Sequence, residues 1–220
     1  MIASSKGLAI LWRFRTRPVR VRVLSSFGMS SGVLPRLSPE EYLDLDRAAD
    51  QRSEYWNGEM FALSGGSVAH ATIVTNLVVS LAGGLRGGTC RVFSTDLRLR
   101  VSATGLYTYP DVLVICGQIA FADDRNDTVL NPKLLVEVLS PSTQDYDRGR
   151  KFAHYRALPS LEEYVVVAQD RPHVEQFVRE DLNRWTLTDT DGLDASLFFR
   201  SIGCSAALRE VFDGVELPTS

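Results

Sequence analysis

Apolar residues recur along the chain in two rhythms. The runs Val112-Leu113-Val114-Ile115 and Leu134-Leu135-Val136-Glu137-Val138-Leu139 are short and almost wholly apolar. They leave no face for water, so they read as central strands buried on both sides. Between residues 67 and 81 the spacing is helical. His70, Ile73 or Val74, Leu77 and Leu81 share one stripe, and Ser67 stands where an N-cap belongs. Upstream, Ser38-Pro39-Glu40-Glu41 puts Ser at the cap, Pro at the first helical position and Glu at the third. That capping box predicts a helix to about residue 49. Asn57-Gly58, between two strand-like runs within 53–63, predicts a hairpin, because both turn positions require positive φ. Further strands are expected over 90–93, 97–101, 163–168, 174–179 and 184–188. A helix is expected over about 145–157, and a short closing helix near 205–212. Such alternation implies a mixed sheet with helices on its faces.

Composition narrows the class without changing this picture. At 220 residues, 45% hydrophobic and 23% charged, the chain suits one globular domain. No apolar run approaches the roughly 18 residues a membrane span needs, so no membrane partner is expected. Cys90, Cys116 and Cys204 stand far apart in the sequence, with no CxxC pair and no metal-ligand spacing. This excludes a disulfide scaffold and a zinc ribbon, and fits a reducing, cytoplasmic compartment.

Charge is distributed unevenly. Lys6, Arg13, Arg15, Arg17, Arg20, Arg22 and Arg36 precede every acid, and all 27 acidic residues lie at or after Glu40. From Glu40 onward, 17 of the 24 bases face those 27 acids, a net of −10. Residues 1–28, ahead of Met29, read as a basic extension, either a disordered tail or a mis-assigned start, with 29–220 as the domain. A transit peptide or a nucleic-acid arm would share this composition.

Three acids occupy awkward places. Asp111 opens a buried strand, Glu137 interrupts another, and Glu54 enters the hairpin beside Tyr55 and Trp56. A carboxylate in a central strand costs several kcal/mol of desolvation unless it is paired or holds a metal. Carboxylates converging from different strands suit a hard cation such as Mg²⁺, which activates water for phosphodiester hydrolysis. The plainer alternative pairs Glu137 with Arg148 or Lys151 and makes Asp111 a turn residue after Pro110. Ser140, Ser142 and Thr143 lack a GxSxG frame and read as helix caps. The glycines at 83–84 and 87–88 form no phosphate loop.

Several segments together carry a resemblance. They are Tyr109-Pro110-Asp111-Val112, then the run from Asn131-Pro132-Lys133 through Glu137-Val138-Leu139 to Ser140-Pro141-Ser142-Thr143, then Asp147-Arg148-Gly149-Arg150-Lys151-Phe152 with Tyr155. With Glu54-Tyr55-Trp56-Asn57-Gly58-Glu59 and His70 in order, the chain resembles the Uma-two family of restriction endonucleases in the PD-(D/E)XK nuclease superfamily. The likeness runs from about residue 37 to 212. It implies a restriction-endonuclease-like core, α+β or α/β, with a mixed β-sheet flanked by helices. It further implies Asp111 and Glu137 as metal-binding acids, Glu54 as an additional acid, and His70 as a near-site residue. The superfamily's lysine normally sits two residues after the second acid. Leu139 holds that place here, and Lys151 in the next helix matches the displaced lysine of this family. The expected function is a Mg²⁺-dependent endonuclease on DNA, with Mn²⁺ as an alternative ion and a homodimer as the assembly. The contrasting expectation is a catalytically degenerate, nuclease-like binding or scaffold domain, which the acidic core supports because duplex binders usually show a basic footprint.

Overall fold

The computed structural model describes residues 36–63, 65–141 and 143–217, plus the backbone pairing of Ile10–Leu11 with Arg22–Val23. The expected extension over 1–28 otherwise lies outside the described residues. The chain divides into two compact units, Met1–Ser64 and Gly65–Ser220, and each is taken by itself.

In the first unit, α1 (Pro39–Ala48) begins on the expected capping box. Ser38 Oγ accepts from the Glu41 amide, and the Glu41 carboxylate accepts from the Ser38 amide. The hairpin β1 (Ser53–Trp56) and β2 (Glu59–Ala62) turns at Asn57 (φ 52°) and Gly58 (φ 82°), the left-handed pair its sequence calls for. Asp46 accepts from both the amide and the hydroxyl of Ser53, and Tyr42 donates to the Ser53 carbonyl while stacking on Tyr55. Helix and hairpin are thereby tied together.

The second unit is built on a six-stranded sheet. Its strands are β3 (Cys90–Ser94), β6 (Val112–Cys116), β8 (Leu134–Leu139), β9 (Glu163–Ala168), β10 (His173–Arg179) and β11 (Trp185–Asp191), lying side by side in that order. Only the β8–β9 pair is parallel. A smaller ladder joins β4 (Arg98–Val101) to β5 (Leu106–Thr108) and β7 (Thr128–Val129). All residues of β8 and β9 are buried, as their unbroken apolar runs require.

Two apolar layers cover the six-stranded sheet. On one side α2 (Val68–Gly84) packs Ile73, Val74, Leu77 and Leu81 against Val112, Val114, Val136 and Val138. On the other side Leu113, Ile115, Leu135 and Leu139 meet Phe152 and Tyr155. These belong to a helical segment in three parts: α3 (Gln144–Tyr146), a π-helical turn (Asp147–Lys151) and α4 (Phe152–Tyr155). The continuous helix expected here is thus interrupted by the wider turn. Of the hydroxyls expected to cap it, Thr143 makes no side-chain capping hydrogen bond. Instead its hydroxyl meets that of Ser140 at 3.0 Å.

Two expectations need correction. The closing segment is a hairpin, β12 (Ser196–Phe199) with β13 (Cys204–Ala207), followed by only four helical residues, α5 (Leu208–Val211). And Cys90 stands directly opposite Cys116 in the β3–β6 pair, where the two form a disulfide. Distance in sequence had hidden a contact that strand register creates. Cys204 alone is a free, buried thiol.

Candidate active site

Strand pairing brings the two central acids into one neighbourhood. Leu134, Leu135 and Val136 pair with Val114, Leu113 and Val112. Asp111 immediately precedes the first residue of β6, and its charge is among those that act on Glu137. Glu137 lies between Leu135 and Leu139, which belong to the layer holding Phe152 and Tyr155. A direct bond fixes the arrangement, since the Val138 amide donates to Asp111 Oδ2 at 2.8 Å.

Glu137 is met by one face of the helical segment. Lys151 Nζ lies 2.8 Å from Glu137 Oε1, and the Tyr155 hydroxyl donates to the same oxygen at 2.7 Å. Lys151 also stands 3.5 Å from Asp147 Oδ1, one turn back. Asp147 is placed in turn by Tyr164, whose hydroxyl donates to its carbonyl at 3.0 Å. Exposure is 3% for Glu137, 4% for Asp147 and 5% for Lys151, so these charges interact with little solvent screening. A single π turn within a helix often marks a functional position, and here it carries both Asp147 and Lys151.

The electrostatics follow from that burial. Desolvation pushes Glu137 up to about 8; Lys151 opposes the rise, while Asp111 and Asp147 add to it. Desolvation, reinforced by Glu137, also holds the Tyr155 hydroxyl well above its ordinary value, so it is a donor. Three acids therefore share one lysine in a region poor in solvent, and the cluster is short of positive charge.

His70, in the first turn of α2, reaches the same acid from the opposite layer. Its Nε2 is 3.1 Å from Asp111 Oδ2. Burial disfavours its charged form, but the hydrogen bond and charge of Asp111 outweigh this and raise its pKa. Gly66 makes room for the ring: a Cβ there would come within 2.7 Å of His70 Nδ1.

Glu54 lies in the first unit, on β1 opposite Phe61, and is 2% exposed. Lys133 pairs at the surface with Glu162 at 3.2 Å. Arg148, the other partner considered for Glu137, is engaged by Glu175. His173 is held by Asp191 at 2.7 Å with 16% of its side chain exposed. Asp147 and Tyr155 had been given no role from sequence. Their spacing with Lys151, four residues on either side, was the signal that they share its helical face.

Among the described residues, no group of three or more His, Cys, Asp and Glu is arranged to hold a metal ion. The donor set nonetheless fits a hard cation. Protein donors to Asp111 converge on Oδ2 and those to Glu137 on Oε1. The two carboxylates are oxygen donors of the kind such an ion takes.

A mixed sheet flanked by helices is the architecture expected of a restriction-endonuclease-like core. A crystal structure titled as a putative nuclease belonging to DUF820, from Anabaena variabilis, superposes with a TM-score of 0.64. It covers 79% of this chain and 96% of that one at 19% identity, and so shows the fold alone. The model of the Uma2 family, described as a putative restriction endonuclease, matches residues 39–207, and the chain belongs to that family. Two uncharacterized Synechocystis proteins are similar over most of their lengths. One, slr1290, is 36% identical over 84% of this chain and 96% of its own. The other, sll1609, is 34% identical over 74% of this chain and 92% of its own.

Proposed function

We propose that this protein is a metal-dependent endonuclease that hydrolyses phosphodiester bonds of DNA, with Mg²⁺ as its ion and Mn²⁺ as a substitute. The observation that carries the reading is the cluster at Glu137: Lys151 stands 2.8 Å from it, and Asp111 is bonded to the amide of the next residue, Val138, at 2.8 Å. Asp111 and Glu137 are the residues that would hold the ion. When bound, it supplies Lewis-acid stabilisation of the phosphoryl oxygen and a more acidic water.

The chain's own residues do the rest. Val138 N–H and His70 fix the rotamer of Asp111, and Tyr155 and Lys151 fix that of Glu137. Lys151 keeps its ammonium beside the acids, where it offsets charge that develops on the attacked phosphate. Glu54, as an additional acid, enters the proposal on the family's pattern alone. A homodimer enters because it would suit symmetric cleavage of two antiparallel strands.

A second reading has its own support. The buried Lys151–Glu137 pair already satisfies both charges, as it would in a degenerate nuclease-like binding domain. Cleavage of plasmid and duplex oligonucleotides in millimolar Mg²⁺ decides between them. The enzyme reading expects nicking that Asp111→Ala and Glu137→Ala abolish. Wild-type protein that binds DNA without cutting it would establish the second.

A further inference from the structure

A cavity of about 150 Å³ opens at the carboxyl ends of the parallel pair β8 and β9. In sheets with parallel strands, ligands favour the crevice outside those ends. Leu139 and Ser140 form one side, two and three residues beyond Glu137, and Gln144, Arg148, Gln169 and Arg171 supply the polar lining. Arg148 lies in the same π turn as Lys151. The cavity therefore borders the catalytic acid's own strand and the lysine's own turn.

Its polar groups present donors. Arg148 Nη1 donates to Gln144 Oε1 at 3.3 Å, and Ser67 Oγ donates to Gln169 Oε1 at 2.7 Å. Both amide carbonyls are thus engaged by the protein, and the NH₂ ends remain as donors. Arg148 is braced from behind, with Nε and Nη2 at 2.7 and 2.6 Å from Glu175 Oε1. Glu175 is itself flanked by His173 at 3.7 Å, which Asp191 holds at 2.7 Å. Five guanidinium hydrogens cannot all be used by two acceptors, so a fixed cationic fork keeps hydrogens to give. The one lining acid, Asp170, stands 3.5 Å from Arg171 with 63% of its side chain exposed, at the rim. Two guanidinium groups and two amides, all offering N–H, match the oxygens of a phosphodiester.

We propose that this cavity is a phosphate-binding subsite that grips the backbone of the substrate strand at a phosphate neighbouring the one cleaved. The inference rests on the nuclease reading above and adds the place where the strand is held. It also answers the acidic charge of the chain, because the grip is confined to one cluster.

The test is the salt dependence of binding to a short fluorescent DNA duplex, measured in Ca²⁺ so that the strand stays intact. Each lost phosphate contact lowers the slope of log K against log salt by about 0.9. Arg148→Gln and Arg171→Gln should each show that loss, whatever the duplex sequence. Over a fourfold rise in salt, wild type should then lose roughly three- to fourfold more affinity than either variant. Should Arg148→Gln fail to fold, Arg171→Gln decides, since its side chain is 57% exposed. If wild type cuts the duplex in Mg²⁺ but folded variants keep its slope, the subsite is overturned and the nuclease reading stands. If wild type neither binds nor cuts, the nuclease reading falls and the subsite falls with it.

Discussion

Replacing Lys151 with Met removes the cation from a buried carboxylate while keeping the side chain's length and apolar stem. Nζ lies 2.8 Å from Glu137, and both residues are at least 95% buried, with exposures of 5% and 3%. Breaking one partner of such a pair costs about 3–5 kcal/mol, because the other charge is stranded. For a unit of this size that corresponds to a fall in Tm of roughly 6–20 °C. The sign of the pH dependence follows from Glu137. Its folded value of about 8 stands above the ordinary 4.5, so the folded state loses stability as pH rises between the two. Lys151 opposes that rise, and without it the deficit should widen with pH. It should stay small up to about pH 8, where a proton on Glu137 covers the lost charge in both proteins, and grow above that by about 1.4 kcal/mol per pH unit. Thermal and urea unfolding in chelator measure both quantities. The double variant Glu137→Gln with Lys151→Met should regain most of the loss. A deficit under about 1 kcal/mol at every pH, or one that shrinks as pH rises, would refute the buried pair as described.

Other outcomes follow from the same contacts. His70→Phe should weaken Mn²⁺ binding about 10–100-fold with little change in Tm, since it removes a donor that orients Asp111; calorimetry reads the first and thermal unfolding the second. Glu163, fully buried, accepts from the amide and hydroxyl of Ser201 and from Gln176. Glu163→Ala should cost about 3 kcal/mol and raise hydrogen exchange at the Ser201 amide, between β12 and β13. Reducing the Cys90–Cys116 bridge, which spans a separation of 26 residues, should lower stability by about 3 kcal/mol. Cys90→Ser should match that loss and show no response to reductant.

Much of this architecture was legible in the chain, for reasons that are local. Ser38 and Glu41 announce α1, Asn57-Gly58 can make little besides a tight hairpin, and the apolar runs around Glu137 leave no solvent face. The pairing of acids was half legible. Parity within its run predicts which layer Glu137 faces, but only the fold shows Asp111 bonded to the amide of Val138 beside it. Lys151 was singled out by the resemblance to the family, and the structure sets it on the helical segment against Glu137.

What stayed hidden depends on contacts between distant elements. The Cys90–Cys116 bridge arises from strand pairing, which no spacing rule encodes. The segment Cys204–Ala207 has residues suited to a helix, yet it pairs with Ser196–Phe199, and tertiary context overrides propensity there. The two-residue strand Thr128–Val129 is too short to show a period. Asp147, set in a π turn, became a site residue only when burial and its distance to Lys151 were known.

The most direct measurement is a calorimetric titration of Mn²⁺ into the full chain, repeated with Asp111→Asn and Glu137→Gln. The account predicts one saturable site per chain in the wild type and its loss in both variants while they stay folded. No saturable heat in the wild type at millimolar ion, or equal binding in the variants, would contradict it.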